Sequence, residues 1–108
     1  MPAPSDPLYQ VERVPAVDEQ IRVLAQRARK HGMFVDYLAA LRHALRKLGT
    51  EPLEWRDPAY HTRHQGGVVC HAIHRPLVFR YVVFEQESVS CILSVKALPG
   101  HLLEADDS

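Results

Sequence analysis

The stretch that decides the fold is GGVVCHAIHRPLVFRYVVFEQESVSCILSVKAL, which runs from Gly66 to Leu98. It is rich in β-branched and aromatic residues, and such residues favour the pleated backbone of a strand. Its two breaks, at residues 74–76 and 85–88, have the length of antiparallel hairpin turns. The pattern predicts three successive strands, Val68–His74, Leu77–Phe84 and Val89–Ala97.

The middle strand separates two kinds of side chain, because neighbouring residues of a strand point to opposite sides of the sheet. One face is wholly apolar or aromatic and consists of Leu77, Phe79, Tyr81 and Val83. The other face has Arg80 at its centre, among Val78, Val82 and Phe84. We expect the first face to pack in the core and the second to be open to solvent or to a ligand.

The residues before the predicted sheet begin with a short strand and a helix. Leu8–Val14 is predicted as the strand, which ends before Pro15. Asp18 is a suitable N-cap for the first helix, which is predicted over Asp18–His31 and ends at Gly32.

A second helix is predicted over Met33–Leu48, with Gly49 as its C-terminal stop. Its expected apolar stripe consists of Phe34, Leu38, Leu41, Leu45 and Leu48. The connection between the two helices is so short that they are expected to form an antiparallel hairpin. Thr50–Pro58 is interpreted as a turn-rich link in which proline prevents helix formation, and Tyr60–His64 as a possible start of the sheet.

Length and composition favour one globular domain. The chain has 108 residues, a formal net charge of zero and two cysteines. We divide it into a mobile N-terminus (residues 1–7), an α+β domain (8–98) and an acidic C-terminal tail (99–108). No apolar run approaches the roughly 18 residues of a membrane span, and the N-terminus lacks the pattern of a secretory signal, so a cytoplasmic location is expected.

The two cysteines, Cys70 and Cys91, are expected to be small, buried free thiols. In a simple meander they lie two strands apart, about 9–10 Å at the usual strand spacing. That separation exceeds the reach of a disulfide, about 7 Å between Cα atoms.

Paired histidines raise the question of a metal site. His61 and His64 are three residues apart, as are His71 and His74. Residues with this spacing on a strand point to opposite faces, and the spacing between the pairs matches no standard zinc motif. We therefore expect no metal, and no cofactor, since no glycine-rich phosphate loop precedes a helix.

The remaining candidate site is basic. Arg80 and Lys96 are expected to share one face of the sheet, near Ser94. Close to them in sequence are Arg63, His64, His71 and Arg75. Arginine and lysine can hold phosphates, and histidine can transfer protons during RNA cleavage. The alternative is a half-exposed sheet whose charges only keep its surface soluble.

The amino-acid sequence of two segments resembles that of the RelE/ParE toxin superfamily. These segments are LRKLGTEPLEWRDPAY, from Leu45 to Tyr60, and PLVFRYVVFEQESVSCILSVKAL, from Pro76 to Leu98. The resemblance spans roughly Leu8 to Leu98. It implies an N-terminal strand and a helical hairpin packed on an antiparallel β-meander.

The resemblance also implies a toxin-type domain of a toxin–antitoxin system, with an antitoxin-type protein as its partner and RNA or the ribosome as a further one. The catalytic candidates are Arg80, Lys96, His71 and His64. The nucleic-acid-binding candidates are Arg63, Arg75, Arg80 and Lys96. The oligomeric state stays open.

Two functions remain. If Tyr81 is the strand tyrosine of the family, the arginine expected three residues earlier is replaced by Val78, and no tyrosine follows Lys96. Because the chain also lacks a net positive charge, we expect a partner-binding relative of the family. The alternative is an active, ribosome-dependent mRNA endonuclease.

Overall fold

The residues from 66 to 98 form strands close to the predicted bounds. The structure is a computed structural model, and it describes residues 8–57, 61–64, 66–101 and 103–104. The elements are β1 (Gln10–Arg13), α1 (Pro15–Lys30), α2 (Phe34–Thr50), α3 (Pro52–Trp55), β2 (His61–His64), β3 (Gly67–His74), β4 (Leu77–Phe84) and β5 (Val89–Ala97). The α+β class is therefore confirmed.

The strands form one mixed sheet in the order β1-β5-β4-β3-β2. The strands from β2 to β5 form a continuous antiparallel meander. The N-terminal strand pairs with β5 in parallel, and it is shorter than the predicted Leu8–Val14. The described helices pack on one face of this sheet, so the fold has two layers.

Three of the predictions about the helices are wrong. Helix α1 begins at Pro15, because the first residues of a helix have no helical partner for an amide and proline lacks one. Asp18 is therefore not the N-cap. It lies in the first turn of the helix, where its carboxylate accepts a hydrogen bond from Arg13. Helix α2 continues through Gly49 to Thr50. Pro52 does not prevent a helix but begins the short α3, for the same reason as Pro15.

The buried side of α2 also differs from the predicted leucine stripe. The residues that α2 buries are Tyr37, Ala40, Ala44, Leu48 and Gly49. Leu41 is only partly buried, and Leu45 is 42% exposed. Small alanines let the helix axis approach the sheet, and the larger leucines then lie at the margin of the contact.

The described part of the acidic segment packs against the domain. Leu103 is fully buried in the core. Its carbonyl oxygen accepts a hydrogen bond from the Arg27 guanidinium at 3.3 Å. The predicted mobile residues 1–7 lie outside the described residues, as do residues 105–108.

Both cysteines are free, as predicted. Cys70 is buried, but Cys91 is only half-buried, because it lies on the side of the sheet that the helices do not cover. Within the described residues, no helix is both long enough and apolar enough to cross a membrane.

The contact between α2 and the sheet can be tested at two leucines of the same helix. Leu48→Ala removes a side chain with no exposed surface, and it should lower the free energy of unfolding by about 2–5 kcal/mol. Leu45→Ala is the matched control and should cost less than about 1 kcal/mol, because its side chain is 42% exposed. Urea unfolding of both variants measures the difference. Equal losses would contradict the packing described here.

Candidate functional site

The sheet face opposite the helices carries three of the candidate residues, and we call it the open face. Arg80 and Lys96 are exposed on it, and His71 is half-buried. The two neighbours of Arg80 on β4, Phe79 and Tyr81, point to the other face and are fully buried. The expected division of the middle strand into a core face and an open face is thus confirmed.

Arg80 is the centre of a row that crosses three strands. It lies opposite His71 of β3 and opposite Ser94 of β5. In the next row towards the β3–β4 turn, Val78 lies between Ile73 and Lys96. Directly opposite side chains on one face of a sheet are close enough to interact, so His71, Arg80 and Ser94 form one patch.

A β-bulge in β5 brings Ser94 and Lys96 to this face. Arg80 pairs with Ser94, but the next residue, Tyr81, pairs with Ile92, so Leu93 is the extra residue. A bulge reverses the alternation of side chains beyond it. Without this extra residue, Lys96 would point into the helix layer.

Apolar side chains surround the central row. Ile73 is 55% exposed, whereas Val82 is only 9% exposed although it lies on the open face. Val82 and Phe84 pack over Gly67, where an added Cβ would lie 2.7 Å from Val82 Cγ2 and 2.9 Å from Phe84 Cε1. On the open face, the Arg80 cation is therefore surrounded by apolar surface, and the face is not uniformly polar.

The other predicted residues lie away from the row. Arg75 is exposed in the turn between β3 and β4. His64 pairs with Gly67, which is four residues before His71, or about 13 Å along the strand. Arg63, which is on the same short strand as His64, pairs with Val68 of β3. The structure thus brings together His71, Arg80 and Lys96 and leaves the two β2 residues at the far end of the sheet.

Titratable groups near the row limit what chemistry it can perform. Burial raises the pKa of Cys91, and the Glu12 carboxylate raises it further, which keeps this thiol protonated. In the described parts of the chain, no three or more His, Cys, Asp and Glu residues come together as a metal site would require. A cation beside a histidine can hold an anion and move a proton, and these are the two roles the row can fill.

The structure also reveals an aromatic cluster on the helix side that the sequence patterns did not indicate. The His43 and His74 rings stack with their centroids 4.1 Å apart, and Trp55 contacts His43 edge-on at 6.2 Å. Arg46 approaches His43 Nδ1 at 3.2 Å. His43 and His74 become neighbours because α2 packs against the end of β3. They are distant in sequence, so no local spacing of residues could have indicated the contact.

Comparison of the chain with models of known protein families, with curated proteins and with solved structures gave no match.

The stacked pair generates a pH dependence of stability. Burial lowers the pKa of His43 from its ordinary value of 6.5, and the neighbouring His74, Arg46 and Lys47 lower it further, against a smaller opposing effect of Glu51. The unfolded chain then binds a proton more readily than the folded one. Stability should therefore be greatest above pH 6.5 and fall as the pH drops from there towards the folded-state pKa.

Thermal midpoints at pH 7.5 and 5.5 measure this loss. His43→Gln should make it smaller. His31→Gln, at the exposed end of α1, should not reduce it. An undiminished loss in His43→Gln would contradict the assignment.

Proposed function

We propose that the chain is a toxin-type domain of the RelE/ParE kind, which acts in the cytoplasm and binds an antitoxin-type protein through the open face. The observation that carries the proposal is the position of Arg80. Its guanidinium is exposed at the middle of the sheet, opposite His71 and Ser94, with apolar side chains on both sides. Arginine is enriched at protein–protein interfaces and is frequently one of their energetic anchors.

The charge of the open face favours a protein partner over RNA. Affinity for a phosphate backbone grows with the number of cations that line it, so a nucleic-acid surface usually carries a dense basic stripe. Among the described residues, the central rows of the open face offer Arg80 and Lys96 as fixed cations. With a formal net charge of zero, the chain adds no long-range attraction. An apolar partner segment with one carboxylate placed on Arg80 fits this surface better.

The partner class comes from the resemblance, and the order of elements is compatible with it. A strand, a helical hairpin and an antiparallel meander follow one another along the chain. Protein partners of such toxin domains neutralise them by binding, and a surface that joins one cation to apolar area suits that role.

A second candidate function, cleavage of mRNA on the ribosome, is favoured by the position of His71 opposite Arg80. Arg80 and Lys96 would hold the scissile phosphate, and His71 would transfer a proton. Val78 occupies the position where the family's catalytic arginine is expected. For that reason we place partner binding first.

Partner binding is tested by substituting Arg80. The partner is isolated from the native host on the tagged chain, identified, and its complex is rebuilt from purified proteins. Arg80→Ala should weaken the complex at least about tenfold, or about 1.4 kcal/mol, because a carboxylate in the partner loses its counter-charge. Lys30→Ala is the control, since it removes the same charge from the exposed end of α1. Equal affinities of the two variants would contradict the proposal.

Ribonuclease activity is tested by induced expression in a bacterial host with mapping of mRNA ends. We expect weak or no growth arrest and no new cleavage sites for the wild-type chain. Strong arrest with mRNA cleavage would establish the second function, provided that Arg80→Ala and His71→Gln both abolish it while thermal unfolding shows that they remain folded. Cleavage that survives both substitutions would exclude this row as its site.

A further inference from the structure

The N-terminal strand leaves hydrogen-bonding groups unused at the edge of the sheet. The amides of Gln10 and Val14 donate to the carbonyl oxygens of Ser88 and Ile92, at 2.8 and 3.1 Å. Successive residues of a strand direct these groups to opposite sides, so the amides of Val11 and Arg13 point away from β5. No residue that the structure describes accepts a hydrogen bond from either amide.

Two grooves adjoin this edge on the helix side. Val11 and Leu45 line both of them. The first has a volume of about 350 Å³ and is lined further by the apolar Ile21, Leu41 and Ile92. Its charged lining consists of Glu12 and the ion pair of Arg13 with Asp18. The second, of about 560 Å³, reaches Tyr9 and Gly49. The core is therefore open along β1, where α2 does not cover it.

Leu45 lies between the grooves, and cations border it. Arg42 and Arg46 are three residues before it and one after it on α2, and both are exposed. Within the described residues neither makes an ion pair with a carboxylate, and the Arg46 guanidinium approaches His43 Nδ1. Residues three apart on a helix are neighbours, which places Arg42 beside Leu45. Arg46 lines the second groove together with Leu45.

We propose that the β1 edge binds an extended segment of a partner protein, which adds as a further strand of the sheet. Main-chain hydrogen bonds to Val11 and Arg13 supply part of the affinity, as in other cases of strand addition. Side chains that point to the same face of a strand are about 7 Å apart. Two apolar side chains at alternate positions enter the two grooves, and a carboxylate at the next alternate position reaches Arg46.

The charge pattern selects this occupant. An apolar segment without a carboxylate would leave Arg42 and Arg46 beside desolvated surface, and a basic segment would be repelled by them. Glu12 and Asp18 border the first groove and disfavour a carboxylate there. The segment is therefore apolar at alternating positions, with its carboxylate on the side of the second groove, near Arg46.

On the same side of the sheet, the stretch of edge beyond β1 is already occupied. Beyond the end of β1, β5 becomes the edge strand, and the Val95 amide there donates to the side-chain oxygen of Gln20 at 2.7 Å. A strand that added at this place would have to displace that side chain. The β1 edge requires no such displacement.

The proposal goes beyond the proposed function, since Arg80 lies on the opposite face of the sheet. The test measures binding of a labelled peptide, Glu-Thr-Leu-Thr-Leu-Thr-Glu, to the purified chain by fluorescence anisotropy. Its leucines and glutamates share one face, and its symmetry serves either strand direction. We expect saturable binding, at least tenfold tighter than that of the peptide with lysine in place of both glutamates.

Two pairs of variants locate the site. Arg13→Pro removes the outward amide, a change that edge strands tolerate, and it should weaken binding at least fivefold relative to Arg13→Ala, which keeps that amide. Leu45→Gln should weaken binding about tenfold. Val35→Gln, at an apolar position of the same helix that is 79% exposed, should leave it unchanged. Circular dichroism and thermal unfolding verify that each variant is folded.

Three outcomes would overturn the proposal: no saturable binding, equal binding by Arg13→Pro and Arg13→Ala, or equal binding by Leu45→Gln and Val35→Gln. Concentration-dependent dimerisation that Leu45→Gln abolishes would assign the edge to a second copy of this chain instead. Arg80→Ala should bind the peptide like the wild type, so failure of the open-face function leaves this test intact.

Discussion

The carboxyl end of α2 is the constraint on which the two layers depend. The last carbonyl groups of a helix have no helical partner, and burying them unpaired would be costly. Here the Leu48 carbonyl accepts from the Ser90 hydroxyl at 2.8 Å, and the Gly49 carbonyl accepts from the amides of Leu8 and Tyr9 at 2.8 and 2.9 Å. These bonds join the helix to β5 and to the chain that enters β1. They place the N-terminal strand beside β5 and so create the parallel edge of the sheet.

The bulge at Leu93 is the second constraint, and it connects folding to the candidate site. Ile92 and Val95 are both buried, which two residues three apart on a regular strand could not be. Core packing therefore requires the extra residue, and Lys96 reaches the open face as a consequence. A change that removed the bulge would alter both the core and the row beside Arg80.

The sequence predicted the strands better than the helices for a physical reason. Alternation of apolar residues has a period of two, and a one-residue error reverses every side chain, so the core face of β4 is encoded strongly. On α2 alanines make much of the contact with the sheet, and a pattern of large apolar residues does not include them. Gly49 does not end the helix, and its carbonyl oxygen has hydrogen-bond partners outside the helix. The pairing of Arg80 with His71 was not predicted, because it depends on the register of the β3–β4 hairpin, which the sequence patterns did not assign. The grooves at β1 and the His43–His74 stack arise from contacts between distant segments, which no local pattern contains.

The two surfaces meet through β1 although they lie on opposite sides of the sheet. Val11 lines the grooves, while Glu12, the next residue, pairs with Cys91 on the side of the open face. A strand added at β1 would present half of its side chains to that same face, three strand spacings or about 14 Å from Arg80. Extended chain of five residues spans this distance. Occupation of the edge therefore enlarges the open face instead of competing with it, and the affinity of one partner for both surfaces would exceed that for either alone, because the second contact forms within the same complex.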